Sequence, residues 1–297
     1  MKKYLIIIVA LIVAYIFTIP KDSLLVSKDF GNHESVLVSY NDEKLSMPID
    51  DYVLGVLACE MPALFNEEAL KAGAIAIRTF YEYNKLKNND YVAKTSEQCF
   101  INEEKMKEKW GIKYDEYYNK LSNVVNETKN QFITYDDEII PSFYFSLSNG
   151  YTENADEVFS VDLPYLVTTE SLWDKNVKTF ENNMQIELSS FLSNLGILDE
   201  DYVEIKDIVK TESGRVKTIT INDKVFTGIE IRKLLNLRSA DFEIEILDKE
   251  VNVKTKGYGH GVGMSQYGAN EMAKLGYKYD EILYYYYKDT KISKLDV

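Results

Sequence analysis

Two stretches of this 297-residue chain hold residues whose types and spacing could do chemistry. The first is IDDYVLGVLACEMP, in which Glu60 follows Leu57 and Val56 by three and four places and sits between Cys59 and Met61. Helical spacing puts that carboxylate on the apolar face. Burial disfavours the charged form and can keep a proton on the group near neutral pH, as a general acid acting on a glycosidic oxygen requires. The same position suits a structural ion pair with Arg78 on the following helix, and spacing alone weighs the two evenly. The second stretch is GYGHGVGMSQYGA, Gly257 to Ala269, with glycines on alternate positions around His260. A backbone without Cβ atoms permits close approach. The run lacks the Gly-Lys-Ser/Thr ending of a P-loop and the spacing of a dinucleotide fingerprint. It also has one residue too many for a G-x-S-x-G nucleophile elbow. A plainer reading is a turn before a helix capped by Ser265, with Ala269, Met272, Ala273 and Leu275 as its buried face.

These residues must be held by elements the sequence also suggests. The pattern predicts a short strand in HESVLVSYND, then a helix started by Asp50 or Asp51 and stopped by Pro62. A second helix starts at Asn66, with Ala69, Ala72, Gly73, Ala76, Ile77 and Phe80 as a small-residue packing stripe. A charged helix is expected over 102–129, and a hairpin through Asp136 and Asp137. From about residue 176 the composition changes to a helix around Met184–Leu195, alternating strand runs, the helix GIEIRKLLNL and the strand DFEIEIL. The expected fold class is α+β: a larger mixed helix/strand domain, 36–175 and 251–297, with a smaller α+β module inserted at 176–250.

Composition narrows the function. Asp plus Glu total 48 against 34 Lys plus Arg, a net charge of −14, and such a surface repels nucleic-acid phosphates. Tyrosine, at 23 copies against two tryptophans, offers apolar rings with polar tips suited to stacking on sugars. Met-Lys-Lys leads into an uncharged run, Tyr4 to Ile19, closed by Pro20 and Lys21. No small-x-small cleavage site follows it, and flanking lysines can snorkel, so residues 1–20 read as an uncleaved membrane anchor, with a cleaved signal peptide as the alternative, and 21–35 as a tether. Lys2 and Lys3 then stay inside, and the rest of the chain is extracytoplasmic. Cys59 and Cys99, with His33 and His260, would all have to converge to make one four-ligand metal site, and no metal or other cofactor is expected. A Cys59–Cys99 disulfide and two buried thiols are equally compatible with the sequence.

Several unusual blocks occur in order over roughly residues 36–290: VLACEMP, EEALKAGAIAIRTF, TSEQCF, FSLSNGYTENADEVF with PYL and LWD, and GYGHGVGMSQYGANEMAK. In these the chain resembles the SpoIID/LytB family. The resemblance implies a membrane-anchored lytic transglycosylase that cleaves the MurNAc–GlcNAc bond of peptide-stripped peptidoglycan strands and leaves 1,6-anhydro-MurNAc ends. It further implies action during engulfment in sporulation, in the mother-cell membrane facing the intermembrane space, beside the amidase SpoIIP and the membrane protein SpoIIM. Carried across by position, the catalytic glutamate is Glu60. The implied substrate groove comprises Arg78, Ser146, Ser148, Asn149, Gly150, Thr152 and Glu153 with Tyr258, His260, Gly261, Met264, Ser265, Gln266 and Tyr267. On that reading the glycines form a side-chain-poor floor beneath the glycan. Some relatives carry histidine and further cysteine near TSEQCF, where this chain has only Cys99, so a zinc site does not carry over.

One acid rather than a facing pair favours intramolecular attack by the C6 hydroxyl over hydrolysis, which normally needs a second carboxylate. Glu153 is the candidate second carboxylate of a hydrolytic muramidase. A reading from another class is a non-catalytic glycan-binding activator of an amidase, since related proteins are called amidase enhancers.

Overall fold

The computed structural model describes residues 35–41 and 43–294. The anchor expected at 1–20 and nearly all of the tether lie outside the described residues. Among those described, no helix is long and apolar enough to cross a membrane. Helices and, among the described residues, five small sheets make the chain α+β, as its sequence predicts.

The strands β1 (Val36–Tyr40) and β2 (Glu43–Met47) form an antiparallel hairpin ahead of α1 (Ile49–Glu60) and α2 (Glu67–Lys87). The short β3 (Ala93–Lys94) returns parallel to β1. Helix α1 buries Val53, Val56 and Leu57 and stops at Met61, which is extended (φ −118°, ψ 138°) because the next residue is Pro62. Neither Asp50 nor Asp51 caps it; the N-cap is Pro48, without a side-chain bond. Helix α2 starts as expected, with Asn66 Oδ1 accepting the Glu68 N–H at 3.0 Å. Its small residues let α1 approach closely, and a Cβ on Gly73 would collide with the Met61 sulfur.

The single helix expected over 102–129 is broken. It forms α3 (Glu103–Trp110), a 3-10 turn at Gly111–Lys113 and α4 (Tyr114–Glu127). Gly111, at φ 51°, cannot continue an α-helix. The strands β4 (Gln131–Tyr135) and β5 (Glu138–Ile139) make the expected hairpin, with Asp136 and Asp137 both at positive φ as a tight two-residue turn requires. Then come β6 (Tyr144–Phe145) and α5 (Ala155–Phe159).

Residues 181–256 carry β7 (Glu181–Glu187), α6 (Leu188–Asn194), β8 (Ile205–Lys210), β9 (Val216–Ile221), β10 (Lys224–Thr227), α7 (Gly228–Leu234), β11 (Phe242–Leu247) and β12 (Glu250–Lys256). Met184 lies in a strand, not in the helix expected there: β7 alternates exposed and half-buried residues and pairs along its whole length with β12. The sheets β10-β9-β8 and β11-β12-β7 enclose Phe191, Ile219, Ile221, Ile231, Val251 and Val253, a core distinct from the one built on α1, α2 and α4. The last strand of this module runs to Lys256, past residue 250. The chain closes with β13 (Met264–Ser265), parallel to β6, then α8 (Gln266–Lys274), α9 (Tyr279–Tyr286) and β14 (Lys291–Lys294), which pairs with β4.

Arg78 departs from both of its sequence readings. Its side chain is 1% exposed. Nη1 donates to the Thr128 carbonyl at 2.8 Å, and Nη2 to the Val125 carbonyl at 3.4 Å and to Asp50 Oδ1 at 3.2 Å. It thus ties the C-terminal end of α4 to the first turn of α1, the end opposite Glu60. It neither lines a groove nor pairs with Glu60. Replacing Arg78 by Ala should therefore cost about 3 kcal/mol of stability, read as a lower denaturation midpoint, and Lys should restore little because an ammonium lacks the planar fork.

Candidate active site

Glu60 is the last residue of α1, and the disulfide Cys59–Cys99 fastens the neighbouring segment beside it. That segment crosses α1 where Gly55 leaves room: a Cβ there would overlap the Phe100 ring, and the Ile101 N–H donates to the Gly55 carbonyl at 3.2 Å. Of the two states the sequence left open for the cysteines, the bonded one is present. The bridge brings the Cys99 N–H to Glu60 Oε1 at 2.8 Å. Gln266 Nε2 approaches Oε2 at 3.5 Å, a long and weak bond. Lys109 Nζ donates to the Ala58 carbonyl at 2.8 Å and acts on the Glu60 charge from there.

Burial is the largest influence on Glu60 and pushes its carboxyl above the ordinary carboxylate range. The Cys99 N–H, the Gln266 amide and the Lys109 ammonium pull the other way without cancelling it. Beside the carboxyl, the Tyr52 hydroxyl donates to Gln98 Oε1 at 2.8 Å, and Gln98 Nε2 donates to the Tyr144 hydroxyl at 2.9 Å. Glu60 remains partly accessible. A carboxyl held above its usual range at the end of a rigid helix is a proton donor in waiting.

The glycine stretch meets the protein's own atoms. Gly257, Gly259, Gly261 and Gly263 all have positive φ. A Cβ on Gly263 would run into the Phe143 carbonyl, and one on Gly261 would overlap the Arg215 guanidinium. The glycines therefore let this stretch dock onto residues 143–149 and Arg215. They do not form an open floor, because the space where side chains would stand is already filled. At the end of the stretch Ser265 caps α8, its Oγ accepting the Gly268 N–H at 3.1 Å, and this aims Gln266 at Glu60.

The other groove residues expected from sequence fall into several groups. Ser148 and Ser265 both serve a buried carboxylate, Asp174: its Oδ1 accepts the Ser148 N–H at 3.3 Å and the Ser265 hydroxyl at 2.7 Å, and its Oδ2 accepts the Ser171 hydroxyl. Burial raises Asp174 to about 6 against the pull of these donors. Ser146 gives its carbonyl to the Tyr267 N–H at 3.0 Å, and the Tyr267 ring meets Phe65 edge-on. Met264 is fully buried, its N–H on the Phe143 carbonyl at 3.2 Å.

Asn149, Gly150, Thr152 and Glu153 are buried together. Asn149 Nδ2 donates to the Ser213 carbonyl and to Asp241 Oδ2, so it joins the main lobe to the inserted module. The Gly150 N–H donates to Ser148 Oγ, and the Thr152 hydroxyl to the Val167 carbonyl. Glu153 is 1% exposed. Its Oε2 accepts the Thr211 and Ser213 hydroxyls at 2.6 and 2.7 Å, and its Oε1 accepts the Asn154 N–H at 3.0 Å. With both oxygens engaged inside the protein, it is not placed to activate a water.

His260 is neutral. The Val262 N–H donates to Nδ1 at 3.1 Å, which leaves Nε2–H to donate to the Tyr144 carbonyl at 3.0 Å. Burial, with Arg232 and Arg215 nearby, holds its pKa down to about 4. Tyr258 stands half exposed, with the Arg238 guanidinium over its ring. Residues the sequence reading passed over include Lys109, Gln98, Tyr144, Asp174 and Arg215. Only Asp174 carried a local signal, as the one acid in the apolar LWD block.

The SpoIID family, described as Stage II sporulation protein, matches residues 41–135. Stage II sporulation protein D of Bacillus subtilis (strain 168) is 38% identical over 265 residues, covering 86% of this chain and 77% of that protein. The chain belongs to the SpoIID family. Stage II sporulation protein D of Bacillus amyloliquefaciens is 37% identical over 260 residues, covering 84% of this chain and 76% of that protein. More distant is the amidase enhancer of B. subtilis, 27% identical over 294 residues, which cover 80% of this chain and 40% of that protein. Glu60, Arg78 and Cys99 all lie within the segment that the family match covers.

Among the described residues, no group of three or more His, Cys, Asp or Glu side chains is arranged to hold a metal ion. The disulfide closes a sequence separation of 40. Changing Cys59 to Ser should cost about 4 kcal/mol by the loop-entropy relation, read by denaturant unfolding. It should also loosen the Cys99 N–H from Glu60, which lowers the carboxyl's pKa while bonded. The Glu60 pKa, read by NMR titration of its carboxyl, should therefore move upward in the variant.

Proposed function

We propose that the chain is a lytic transglycosylase of the cell wall, with Glu60 as its single acid and base. The observation that carries this reading is the Glu60 carboxyl itself, partly accessible at a helix end and raised above its ordinary range by burial. Protonated, it gives its proton to the glycosidic oxygen between MurNAc and GlcNAc as the C1–O bond breaks. The oxocarbenium-like centre is then attacked at C1 by the C6 hydroxyl of the same sugar, and the carboxylate takes that hydroxyl's proton. Atoms balance with no water consumed, and the product ends in 1,6-anhydro-MurNAc. The engagement of Glu153 inside the protein supports this route over hydrolysis, which needs a second carboxylate.

Context follows from the same reading. Peptide-stripped strands are the substrate, residues 1–20 anchor the chain in the membrane, and the catalytic part works outside the cytoplasm during engulfment, with the amidase SpoIIP and the membrane protein SpoIIM as partners. The Cys59–Cys99 disulfide supports an oxidising compartment. Likeness to an amidase enhancer supports a second reading, in which the site binds glycan and stimulates an amidase.

The full chain incubated with peptide-free strands should release anhydro-ended fragments, each lighter by one water than a hydrolytic product. Glu60→Gln should lower turnover by about 10²- to 10⁴-fold without a fall in melting temperature, and Gln266→Ala by less. The rate should decline as pH rises through the raised Glu60 pKa, since the acid form starts the reaction. Reducing MurNAc ends would make the protein a muramidase. No fragments, together with stimulation of an amidase, would establish the second reading.

A further inference from the structure

A cavity of about 490 Å³ lies between the inserted module and the main lobe, with His260 in its wall. The β6–β13 ladder connects it to the acid: His260 holds the Tyr144 carbonyl of β6, and Gln266, directly after β13, reaches Glu60. Most charged groups lining the cavity are already matched. Glu153 is held by Thr211 and Ser213 beside the Arg215 guanidinium, and Lys217 pairs with Glu157 at 2.8 Å. Glu230 closes a capping box with Thr227, and Asp156 is exposed in the first turn of α5.

Arg232 has no such match. It lines the cavity half-buried, and among the described residues its side chain has no ion pair and no hydrogen bond. A guanidinium partly withdrawn from water without a partner is unfavourable, and an incoming anion would relieve that cost. Its field reaches His260 in the cavity wall, where with Arg215 it adds to burial in opposing protonation. On a chain of net charge −14, the Arg232 guanidinium, unmatched among the described residues, draws an anionic group to this part of the cavity, against the exposed carboxylate of Asp156 at its edge.

We infer that Arg232 is a specificity-determining residue of a glycan subsite and receives the free lactyl carboxylate of a peptide-free muramic sugar. This inference rests on the reading of the glycan as substrate. A guanidinium can take a carboxylate through two parallel N–H donors, whereas an amide at the same position presents one neutral oxygen. A lactyl group coupled to a peptide, being an amide, loses this recognition. The cavity therefore selects stripped strands through charge.

The test is binding, read apart from cleavage. The full chain carrying Glu60→Gln is titrated with labelled peptide-free strands and with the same strands after their lactyl carboxylates are converted to methylamides. The expected result is binding about tenfold or more tighter to the carboxylate form. Adding Arg232→Ala should abolish that preference while leaving affinity for the methylamide strands unchanged, and Arg232→Lys should keep part of it. Equal loss on both strands, or an intact preference in Arg232→Ala, overturns the subsite. The chemical change on the strand tests the idea even where a variant folds poorly. Lost preference alongside normal anhydro products from the unaltered chain defeats this inference alone. Charge-dependent binding without cleavage by the unaltered chain defeats only the catalytic reading.

Discussion

The buried carboxylate of Asp174 joins three parts of the chain that are remote in sequence. It takes hydrogen bonds from Ser148, Ser171 and Ser265 in a setting that raises its own pKa to about 6. Around it, the Ser171 hydroxyl meets Tyr286, whose hydroxyl also receives the Trp173 indole N–H. Gly268 must be glycine here, since a Cβ would press on Asp174 and the Tyr286 hydroxyl. Buried polar groups persist only when satisfied, and this cluster satisfies its members by fixing the register of β6 against β13. That register sets where α8 begins and hence where Gln266 stands relative to Glu60.

The acid is prepared by a contest between solvation and hydrogen bonding. A carboxylate that accepts several good donors is normally driven down, and Glu60 receives one good donor, Cys99 N–H, and one long one, Gln266. Desolvation at the end of α1 outweighs both, so the proton is retained to a higher pH. Asp174 shows the same order of effects with more donors. Each pKa unit corresponds to about 1.4 kcal/mol, so the loss of one hydrogen bond can shift such a balance appreciably. The disulfide matters because it fixes the peptide that carries the only short donor to Glu60 among the described residues.

The inserted module has an apolar core of its own, and polar groups link it to the main lobe. Asn149 bonds to Asp241, Glu153 to Thr211 and Ser213, and the Arg215 guanidinium lies against Gly261 and reaches the Tyr151 carbonyl. Residues that sequence reasoning placed in a substrate groove here act as struts between lobes. Their polarity serves satisfaction at a buried junction. The cavity containing Arg232 lies along that junction.

The sequence by itself determined what short-range physics controls. Apolar periodicity located α1 and α2, Asn66 and Ser265 marked helix starts that the structure contains, and the Asp136–Asp137 pair marked a hairpin turn. The mismatch of Glu60 with its apolar neighbours was also local. Where local signals were ambiguous the reading failed: Met184 suits a strand as well as a helix, and its pairing with Val253 decided for the strand. Tertiary structure alone decided the partners. The Cys99 N–H lies 39 residues from Glu60 and Gln266 lies 206 away, and Arg78 is drawn to carbonyls near residue 128 that no spacing rule could foresee. The glycines of 257–263 announced close approach, yet only the fold showed that residues 143–149 and Arg215 fill the space. Propensity and capping act within one or two turns, whereas burial and charge depend on what the rest of the chain brings alongside.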